Sequence, residues 1–360
     1  MNKNIKIGIG PKGRVGGVSY HIENIIKHSK HNLSMFPIFH PLSVRTNIRK
    51  ISQINYFIRE KKYENTDPYG LLLSKFILPK KNDIIHLHGH PWWPEIYKKR
   101  NDEKYIHTVH QVYKKEDFKT KKKWDYAKWL NKLLIKSCNS SNIVISVSKW
   151  QQKTLQKLGV DSIYIPNATD LKICEKGDEK RFREKYKIND DFVLFGGDLR
   201  HYKRPILLIK LAKRNPDKLF IMKGKNVSKT NVERVLDLKI PKNILCLGQI
   251  PYQDLIDAFA ASKVMVLTSR NETFGIVILE AMALKKVVVG ANNAGSKEII
   301  SDGKDGFLFE PDNIDDLEKK FLLAWDNPSL GENGYKKVKE NFDWKVVIKS
   351  VDKVYEELMI

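Results

Sequence analysis

The sequence has 360 residues, of which 41% are hydrophobic and 30% are charged. These fractions are ordinary for folded proteins, so they exclude a disordered chain and a small disulfide-stapled scaffold. The 65 basic residues outnumber the 42 acidic ones, for a net charge of +23. That excess favours a polyanionic partner such as a nucleic acid, an anionic membrane surface or a phosphorylated ligand.

The three cysteines, Cys138, Cys174 and Cys246, lie far apart and have no C-x-x-C spacing. They fit neither a disulfide framework nor a zinc site. Residues 1–10 offer too few apolar side chains for the core of a signal peptide, and every apolar run falls short of the ~20 residues that span a bilayer. We therefore expect a cytoplasmic protein whose contact with a membrane is at most peripheral, on its inner face.

Short apolar runs alternate along the chain with longer amphipathic segments, as is typical of a parallel α/β sheet. In the first half we predict strands over 5–9, 34–39, 84–88, 105–109 and 143–147, with a helix over 18–30. In the second half we predict strands over 193–195, 218–222, 243–247, 264–267 and 287–290, with helices over 204–213 and 252–261. Two such halves predict two doubly wound, Rossmann-like domains.

The boundary between the predicted domains is placed at Pro166, where a short apolar segment ends in turn-forming residues. This gives an N-terminal domain over 1–166 and a C-terminal domain over 167–339. From 334 to 360 apolar residues recur at helical spacing. That pattern predicts a final helix, over about 340–360, that packs back onto the body of the protein.

The first predicted strand leads into a glycine-rich segment whose first part, 8–13, has the G-x-G-x-x-G spacing of dinucleotide sites. Pro11 interrupts it, and the second predicted strand ends without the carboxylate that would hold a ribose. A glycine loop fits better, with Gly16 and Gly17 letting main-chain N–H groups approach a phosphate or sugar at a helix N-terminus. A plain turn between strand and helix stays open for 8–13.

A second candidate site follows the predicted strand 193–195, where Arg200 and Lys203 are expected to project at the start of the next helix. Ligands bind beyond the carboxyl ends of strands in open parallel sheets, and a helix N-terminus favours anions. Two cations in that place suit a diphosphate. The alternative is a pair of solvated surface charges, since Asp198 partly offsets their field.

The third candidate site is a polar loop at the end of predicted strand 264–267, followed by a strongly apolar helix. Glu280 lies within that helix, where a buried carboxylate is costly unless it is hydrogen-bonded. The hydroxyls of a sugar or ribose would satisfy it, and another protein group is the alternative partner. Gly275 at the helix start lets N–H groups meet a ligand, and Glu272 is placed to accept hydrogen bonds from sugar hydroxyls.

Glu272 and Glu280 form an E-x7-E motif that resembles the one in the large retaining glycosyltransferase family with the GT-B fold, often called family 4. Other segments follow in that family's order along nearly the whole chain: Gly16-Gly17-Val18, His86-Leu-His88-Gly89, Thr108-Val-His110, Val147-Ser148, Ile165-Pro166-Asn167 and Ser296-Lys-Glu298. The resemblance implies two Rossmann-like domains facing across a cleft, with a nucleotide-sugar donor held mainly by the C-terminal one.

The resemblance also implies roles for the residues that match the family's motifs. Glu280 resembles the residue that holds the ribose, and Arg200 and Lys203 resemble the pair that neutralises the diphosphate. Many members have an arginine where this chain has Asp198, so here that cation arrives from Arg200. The implied donor-binding residues are Gly16, Gly17, Arg200, Lys203, Thr273, Phe274, Gly275, Ile276 and Glu280, and the implied catalytic residues are His110, Glu272 and Lys203.

The implied reaction is sugar transfer with retention, in which cations stabilise the leaving nucleoside diphosphate. The donor motif carries no D-x-D carboxylate pair, so we expect no metal and no cofactor besides the donor substrate. A separate metal site at His86, His88 and His90 is one interpretation, although no fourth ligand is evident. The others are plain core packing and an acceptor-site wall, with Trp92 and Trp93 covering a sugar or lipid.

The stretch 113–136 contains nine lysines against three acidic residues, with Trp124 and Trp129 among them. One interpretation is a core helix with a solvated lysine face. The other is a surface that docks on anionic lipid, because lipid-linked acceptors are common in the resembled family. No recognised motif supports nucleic-acid binding.

From these residues we expect a glycosyltransferase that uses a UDP- or GDP-sugar and a glycan or lipid-linked acceptor, in the synthesis of polysaccharide, glycolipid or glycoprotein glycans. A non-catalytic sugar-nucleotide or polyanion-binding protein on the same fold is the main alternative. A dinucleotide-dependent oxidoreductase is a weaker one.

Overall fold

Residues 6–12, 17–37, 83–89, 103–118 and 120–360 are described by the computed structural model. They form two parallel sheets with helices packed on them. Within these residues no helix is both long and apolar enough to cross a membrane.

The first sheet has the strand order β2-β1-β3-β4-β5-β6 among the described residues. Its strands are β1 (Lys6–Lys12), β2 (Asn32–Pro37), β3 (Ile84–His88), β4 (Lys104–Val109), β5 (Ile143–Ser146) and β6 (Ile163–Tyr164). The helices in this half are α1 (Gly17–His28), α2 (Lys121–Asn139) and α3 (Lys149–Lys157). All five residues of β3 are buried, as expected for a strand covered on both faces.

The second sheet has the strand order β12-β11-β10-β7-β8-β9. Counted from β7, this is the 3-2-1-4-5-6 order of the Rossmann fold. Its strands are β7 (Phe192–Phe195), β8 (Leu219–Met222), β9 (Ile244–Cys246), β10 (Val264–Leu267), β11 (Val287–Ala291) and β12 (Phe307–Phe309). Its helices are α4 (Leu171–Cys174), α5 (Glu179–Tyr186), α6 (Pro205–Arg214), α7 (Lys229–Leu236), α8 (Tyr252–Ala261), α9 (Ile276–Ala283), α10 (Ser296–Ile299) and α11 (Ile314–Asp326).

Each sheet has a point where its strand order reverses. In the first sheet β1 pairs with β3, and in the second β7 pairs with β10. Ligands of doubly wound sheets bind outside the carboxyl ends of the strands at these points. The loops that follow β7 and β10 carry two of the three candidate sites.

Two helices follow α11: α12 (Leu330–Asn341) and α13 (Trp344–Glu357). The helical spacing that begins at 334 therefore does not form one helix. It is interrupted because Asp343 has extended backbone and its side chain caps the start of α13. Trp344 of α13 is fully buried and joins Ile7 and Ile22 in the core of the first sheet. The domain boundary at 166 stays a prediction.

The glycine-rich segment that begins at residue 8 differs from its prediction. Gly8 and Gly10 lie inside β1 and pair with residues of β3, because the strand continues through Pro11 to Lys12. They are ladder positions in a sheet, so the first part of the segment is not a ligand-binding loop. Gly16 lies outside the described residues.

Candidate functional site

Lys203 and Glu272 form an ion pair at the carboxyl edge of the second sheet. Their side chains are only 11% and 13% exposed. Lys203 ends a short 3₁₀ turn, His201–Lys203, and Thr268 after β10 fixes that turn by donating its hydroxyl to the Lys203 carbonyl oxygen (2.7 Å). The fold thus brings together two predicted site residues that lie 69 positions apart.

Arg200 is held by Asp198, the residue that departs from the family pattern. Its Nε donates to Asp198 Oδ2 at 2.8 Å, its Nη2 lies 2.7 Å from the same oxygen, and its guanidinium lies 5.0 Å from the Tyr202 ring centre. Burial alone would raise the pKa of Asp198, but the hydrogen bonds from Arg200 lower it. Arg200 and Asp198 therefore form an ion pair in which both side chains are charged.

The position of Arg200 corrects one expectation. It precedes the 3₁₀ turn, and α6 begins only at Pro205, after Arg204 in a left-handed conformation with φ of 52°. Arg200 and Lys203 therefore do not occupy the first turn of an α-helix. Their field comes from their own charges rather than from the dipole of α6.

Glu280 lies in α9 with 4% of its surface exposed. The hydroxyl of Tyr252 donates to its Oε1 at 2.9 Å. Burial raises the pKa of Glu280, and the Tyr252 hydrogen bond and the charge of Lys223 oppose that rise. Glu280 thus has a protein partner, as the alternative interpretation expects. The Tyr252 ring in turn lies 5.6 Å from that of Tyr20 in α1.

Lys223 is a candidate site residue that the sequence analysis missed. It follows β8 directly and is half-buried. Burial lowers the pKa of this lysine, the nearby Glu280 raises it, and Lys203 lowers it. A lysine followed by glycine at the end of a buried strand was the only available signal. The cluster at this edge of the second sheet therefore comprises three cations and three carboxylates: Arg200, Lys203, Lys223, Asp198, Glu272 and Glu280.

The loop from Thr273 to Ile276 turns the chain from β10 into α9. Gly275 adopts φ of 98°, a left-handed conformation that favours glycine, and no side chain caps the helix there. Phe274 is 2% exposed and packs in the core beside Phe342 at 5.8 Å. A ligand contact by Phe274 would therefore use its main chain, whereas the side chains of Thr273 and Ile276 are half-buried.

Gly295 supports the loop that carries Glu272. A Cβ at this glycine would lie 2.6 Å from the Glu272 carbonyl oxygen and 2.8 Å from the Phe274 nitrogen, both main-chain atoms. Gly295→Ala is expected to displace the loop and to lower the free energy of unfolding by about 1–3 kcal/mol. Urea unfolding checks this, with exposed Asn292→Ala on the same segment as the control. Equal stability of both variants would contradict the close packing.

Contacts also cross from the first sheet's domain to the second. Asn271 Nδ2 donates to Asp117 Oδ1 at 3.0 Å. The carboxylate of Glu298 accepts from the main-chain N–H groups of Lys149 and Trp150 at 2.8 and 2.6 Å, capping the start of α3. These contacts join the two halves of the protein at two places.

Gly17 is the remaining predicted donor contact within the described residues. It begins α1, is exposed, and a Cβ placed on it would lie 3.6 Å from Ile276 Cδ1 of α9. The start of α1 thus faces the start of α9 across the cleft. A ligand held at one helix start lies within reach of the other.

His110 follows β4 and lies among other histidines. Its Nε2 is 3.1 Å from His88 Nδ1, with which it shares a hydrogen bond, and its ring packs edge-on against His21 at 4.9 Å. Burial lowers the pKa of His110 and His88 well below the usual value and that of His21 to about 3. These rings are therefore neutral at pH 7.

The metal interpretation based on His86, His88 and His90 is not supported in its original form. His86 uses both ring nitrogens, Nδ1 with the Tyr355 hydroxyl (2.7 Å) and Nε2 with the Thr108 hydroxyl (2.8 Å). Because neither nitrogen is free, His86 is not available as a ligand. His90, Trp92 and Trp93 lie outside the described residues.

Residues 121–136 of the basic stretch lie in α2, as their apolar spacing predicts, whereas Lys115–Asp117 form a separate 3₁₀ turn. Leu134 and Cys138 are buried in the core beside β4 and β5. On the outside, Trp129 is 39% exposed and stacks on Tyr126 at 5.7 Å. The helix also exposes the lysines at 121, 122, 123, 128, 132 and 136. The core-helix interpretation is thus met on the buried face, and docking on anionic lipid by the exposed face stays a prediction.

Two family models match the chain, one in each half. The model described as Glycosyltransferase Family 4 matches residues 15–173, and the model described as Glycosyl transferases group 1 matches residues 178–341. Together they cover every strand except β1 and all of the implied donor-binding and catalytic residues.

Similar proteins point the same way. An uncharacterised glycosyltransferase of Methanocaldococcus jannaschii is 27% identical, covering 96% of this chain and 95% of that protein. An α-1,3-galactosyltransferase of Escherichia coli, named for UDP-Gal and GlcNAc-diphosphoundecaprenol, is 28% identical over 69% of this chain and 67% of its own. Among solved structures, Anabaena HepE in complex with UDP and glucose superposes with a TM-score of 0.71 at 16% identity, over 99% of this chain and all of the other.

Proposed function

This chain belongs to the group 1 glycosyltransferases and has their GT-B fold, and on that basis we propose that it transfers a sugar, with retention of configuration, from a nucleoside-diphosphate sugar to a glycan or lipid-linked acceptor. One observation carries the proposal. The nearly buried Lys203–Glu272 ion pair lies at the strand-order reversal of the second sheet, with the buried carboxylate of Glu280 in the helix that follows.

In the proposed reaction the bond between the anomeric carbon and the diphosphate oxygen breaks. Charge then builds on the leaving phosphate, and Lys203 and Arg200 stabilise it electrostatically without a metal ion. Glu272 accepts hydrogen bonds from hydroxyls of the donor sugar. The acceptor hydroxyl attacks the same face of the sugar and its proton passes to the leaving group, while His110, neutral at pH 7, orients the sugar from the other domain.

The comparisons favour a UDP-linked donor. The Anabaena neighbour is named as a complex with UDP and glucose, and the Escherichia coli relative is named for UDP-Gal and a lipid-diphosphate acceptor. We extend both features to this chain: a UDP-sugar on the C-terminal side, and an acceptor linked to a lipid or glycan on the N-terminal side. Polysaccharide or glycolipid assembly is the process that would use such a reaction.

A ligand panel followed by a turnover assay tests the proposal. UDP, GDP, their sugars and NAD are compared by thermal shift, since a ligand that binds only the folded state raises the melting temperature. We expect a shift with UDP compounds and none with NAD. Hydrolysis or transfer of the labelled sugar then separates an enzyme from a sugar-nucleotide-binding protein. A shift with NAD alone would overturn the proposal.

The affinity for UDP is expected to fall as the pH is lowered through the pKa of Glu280. The carboxylate is the form that accepts hydrogen bonds from the ribose, and burial raises its pKa above 4.5. Lys223→Ala removes a charge that stabilises the carboxylate, so the midpoint should move to higher pH. Titration of UDP across pH checks this, with exposed Lys225→Ala as the control; identical midpoints for both variants would exclude the electrostatic link.

The exposed face of α2 supports a membrane-associated acceptor. Each lysine near an anionic surface contributes about 1 kcal/mol, and the stacked Tyr126 and Trp129 add an aromatic pair suited to the interface. Replacing Lys121, Lys122 and Lys123 by glutamate should abolish flotation with vesicles that contain phosphatidylglycerol. Neutral phosphatidylcholine vesicles are the control. Undiminished binding by the variant would show that the lysine face of α2 does not bind the membrane.

A further inference from the structure

Three imidazoles converge in the first sheet's domain from three elements. His21 lies in α1, His88 ends β3, and His110 follows β4. One ring nitrogen of each lies within 4.8 Å of those of the other two. Their ring centres are separated by 5.3, 4.9 and 5.4 Å. Three imidazoles that share one tetrahedral ion, with metal–nitrogen distances near 2.0 Å, place their ring centres roughly 5 Å apart.

One of these rings presents a nitrogen that lacks a hydrogen-bond partner. His21 Nδ1 is buried without a partner, and the His21 side chain is 4% exposed. A buried polar atom without a partner is destabilising. Its place beside the hydrogen-bonded His88–His110 pair indicates that a ligand completes the cluster.

The chemistry of the cluster selects the ligand. Nitrogen-only imidazole sites suit zinc, copper or nickel, whereas calcium and magnesium prefer oxygen. His88 Nδ1 and His110 Nε2 share a hydrogen bond at 3.1 Å, and an ion between them would displace its proton. The His86 ring lies 4.2 Å from the His88 ring and is held by hydrogen bonds to Tyr355 and Thr108. This packing fixes the orientation of the His88 ring.

We propose that His21, His88 and His110 bind a divalent transition metal ion, zinc in particular, with one coordination position left open. His110 is the only one of the three that is partly exposed, so the open position faces its side of the cluster. The transfer reaction proposed above does not require this ion. Because bound zinc would withdraw His110 from the donor sugar, the site is inhibitory to transfer. The binding claim is independent of the proposed function.

Metal titration of the full chain, without a histidine tag and after treatment with a chelator, tests the site. Cobalt(II) is added as a spectroscopic substitute and zinc is then used to displace it. We expect one equivalent to bind with the visible absorption of a four- or five-coordinate cobalt site. His21→Asn and His110→Asn should each weaken zinc binding by at least about tenfold, with His31→Asn as the control.

Several results would overturn the proposal. Absence of cobalt or zinc binding to the wild-type chain would show that His21 Nδ1 meets buried water or packed side chains instead. Equal affinity in wild type and both variants would place the metal elsewhere. His110→Asn is included because His110 is the more exposed position, and circular dichroism verifies that each variant is folded. Because no donor or acceptor is present, failure here leaves the glycosyltransferase proposal unaffected.

Discussion

Transfer is expected to fall by about 10²–10³-fold when Lys203 is replaced by alanine, the usual cost of removing one preorganised group that stabilises transition-state charge. Lys203 is nearly buried and its turn is tied to Thr268, so its ammonium group is held in place before a ligand arrives. The steady-state rate with a UDP-sugar measures the effect. Lys213→Ala, an exposed lysine in α6, is the matched control.

A second variant separates two explanations of that loss. Lys203→Ala leaves the Glu272 carboxylate without its partner, and a half-buried unpaired charge is itself damaging. Because Glu272 is itself assigned to the donor sugar, the Glu272→Gln single variant is the reference. If Lys203 only neutralised Glu272, the double variant would be as active as that reference. If Lys203 stabilises the diphosphate, the double variant stays far below it. We expect the second result, and restoration would remove Lys203 from the catalytic residues.

Binding of UDP is expected to weaken by about 10–100-fold in Glu280→Ala, because hydrogen bonds to an ionised carboxylate contribute about 1.5–3 kcal/mol. The pyrimidine nucleoside uridine should lose affinity by a similar factor, since the proposed contact is to the ribose and not to the phosphates. Calorimetric titration of both ligands measures this. A loss with UDP that is absent with uridine would place Glu280 near the diphosphate instead.

Tyr252→Phe is the control for packing around Glu280. It removes the hydroxyl that donates to Oε1 and keeps the ring and the carboxylate. If Glu280 acts through the ligand, this variant should bind UDP nearly as well as wild type. If the Tyr252–Glu280 hydrogen bond is the whole role of the carboxylate, both variants lose affinity equally.

Much of the fold follows from local pattern. The strand predicted at 264–267 is observed with the same bounds, because four apolar residues end abruptly in a polar loop. The GT-B family assignment, made on the Glu272 and Glu280 motif with the segments around it, is confirmed by the family models. These features depend either on neighbouring residues or on a known order of family motifs, so they can be predicted from one sequence.

Other features depend on distant elements meeting. Lys223 lies near Glu280 only because β8 and α9 pack in the same domain. No motif around Lys223 in the sequence indicates a ligand-binding site. His21 reaches His88 and His110 because α1 packs with the His21 side toward them. The sequence shows only the close spacing of His86, His88 and His90 and does not reveal that His21 lies beside them. Gly8 and Gly10 illustrate the opposite error. Their spacing is typical of a ligand-binding loop, but both residues lie within strand β1.

The capping of α3 by Glu298 has a kinetic consequence. Separating the two halves of the protein would require two main-chain amides to exchange a carboxylate for water and the Asn271–Asp117 hydrogen bond to break. In enzymes whose closure precedes chemistry, such contacts re-form at each turnover. If closure of this kind limits transfer here, the reaction rate should depend on the viscosity of the medium.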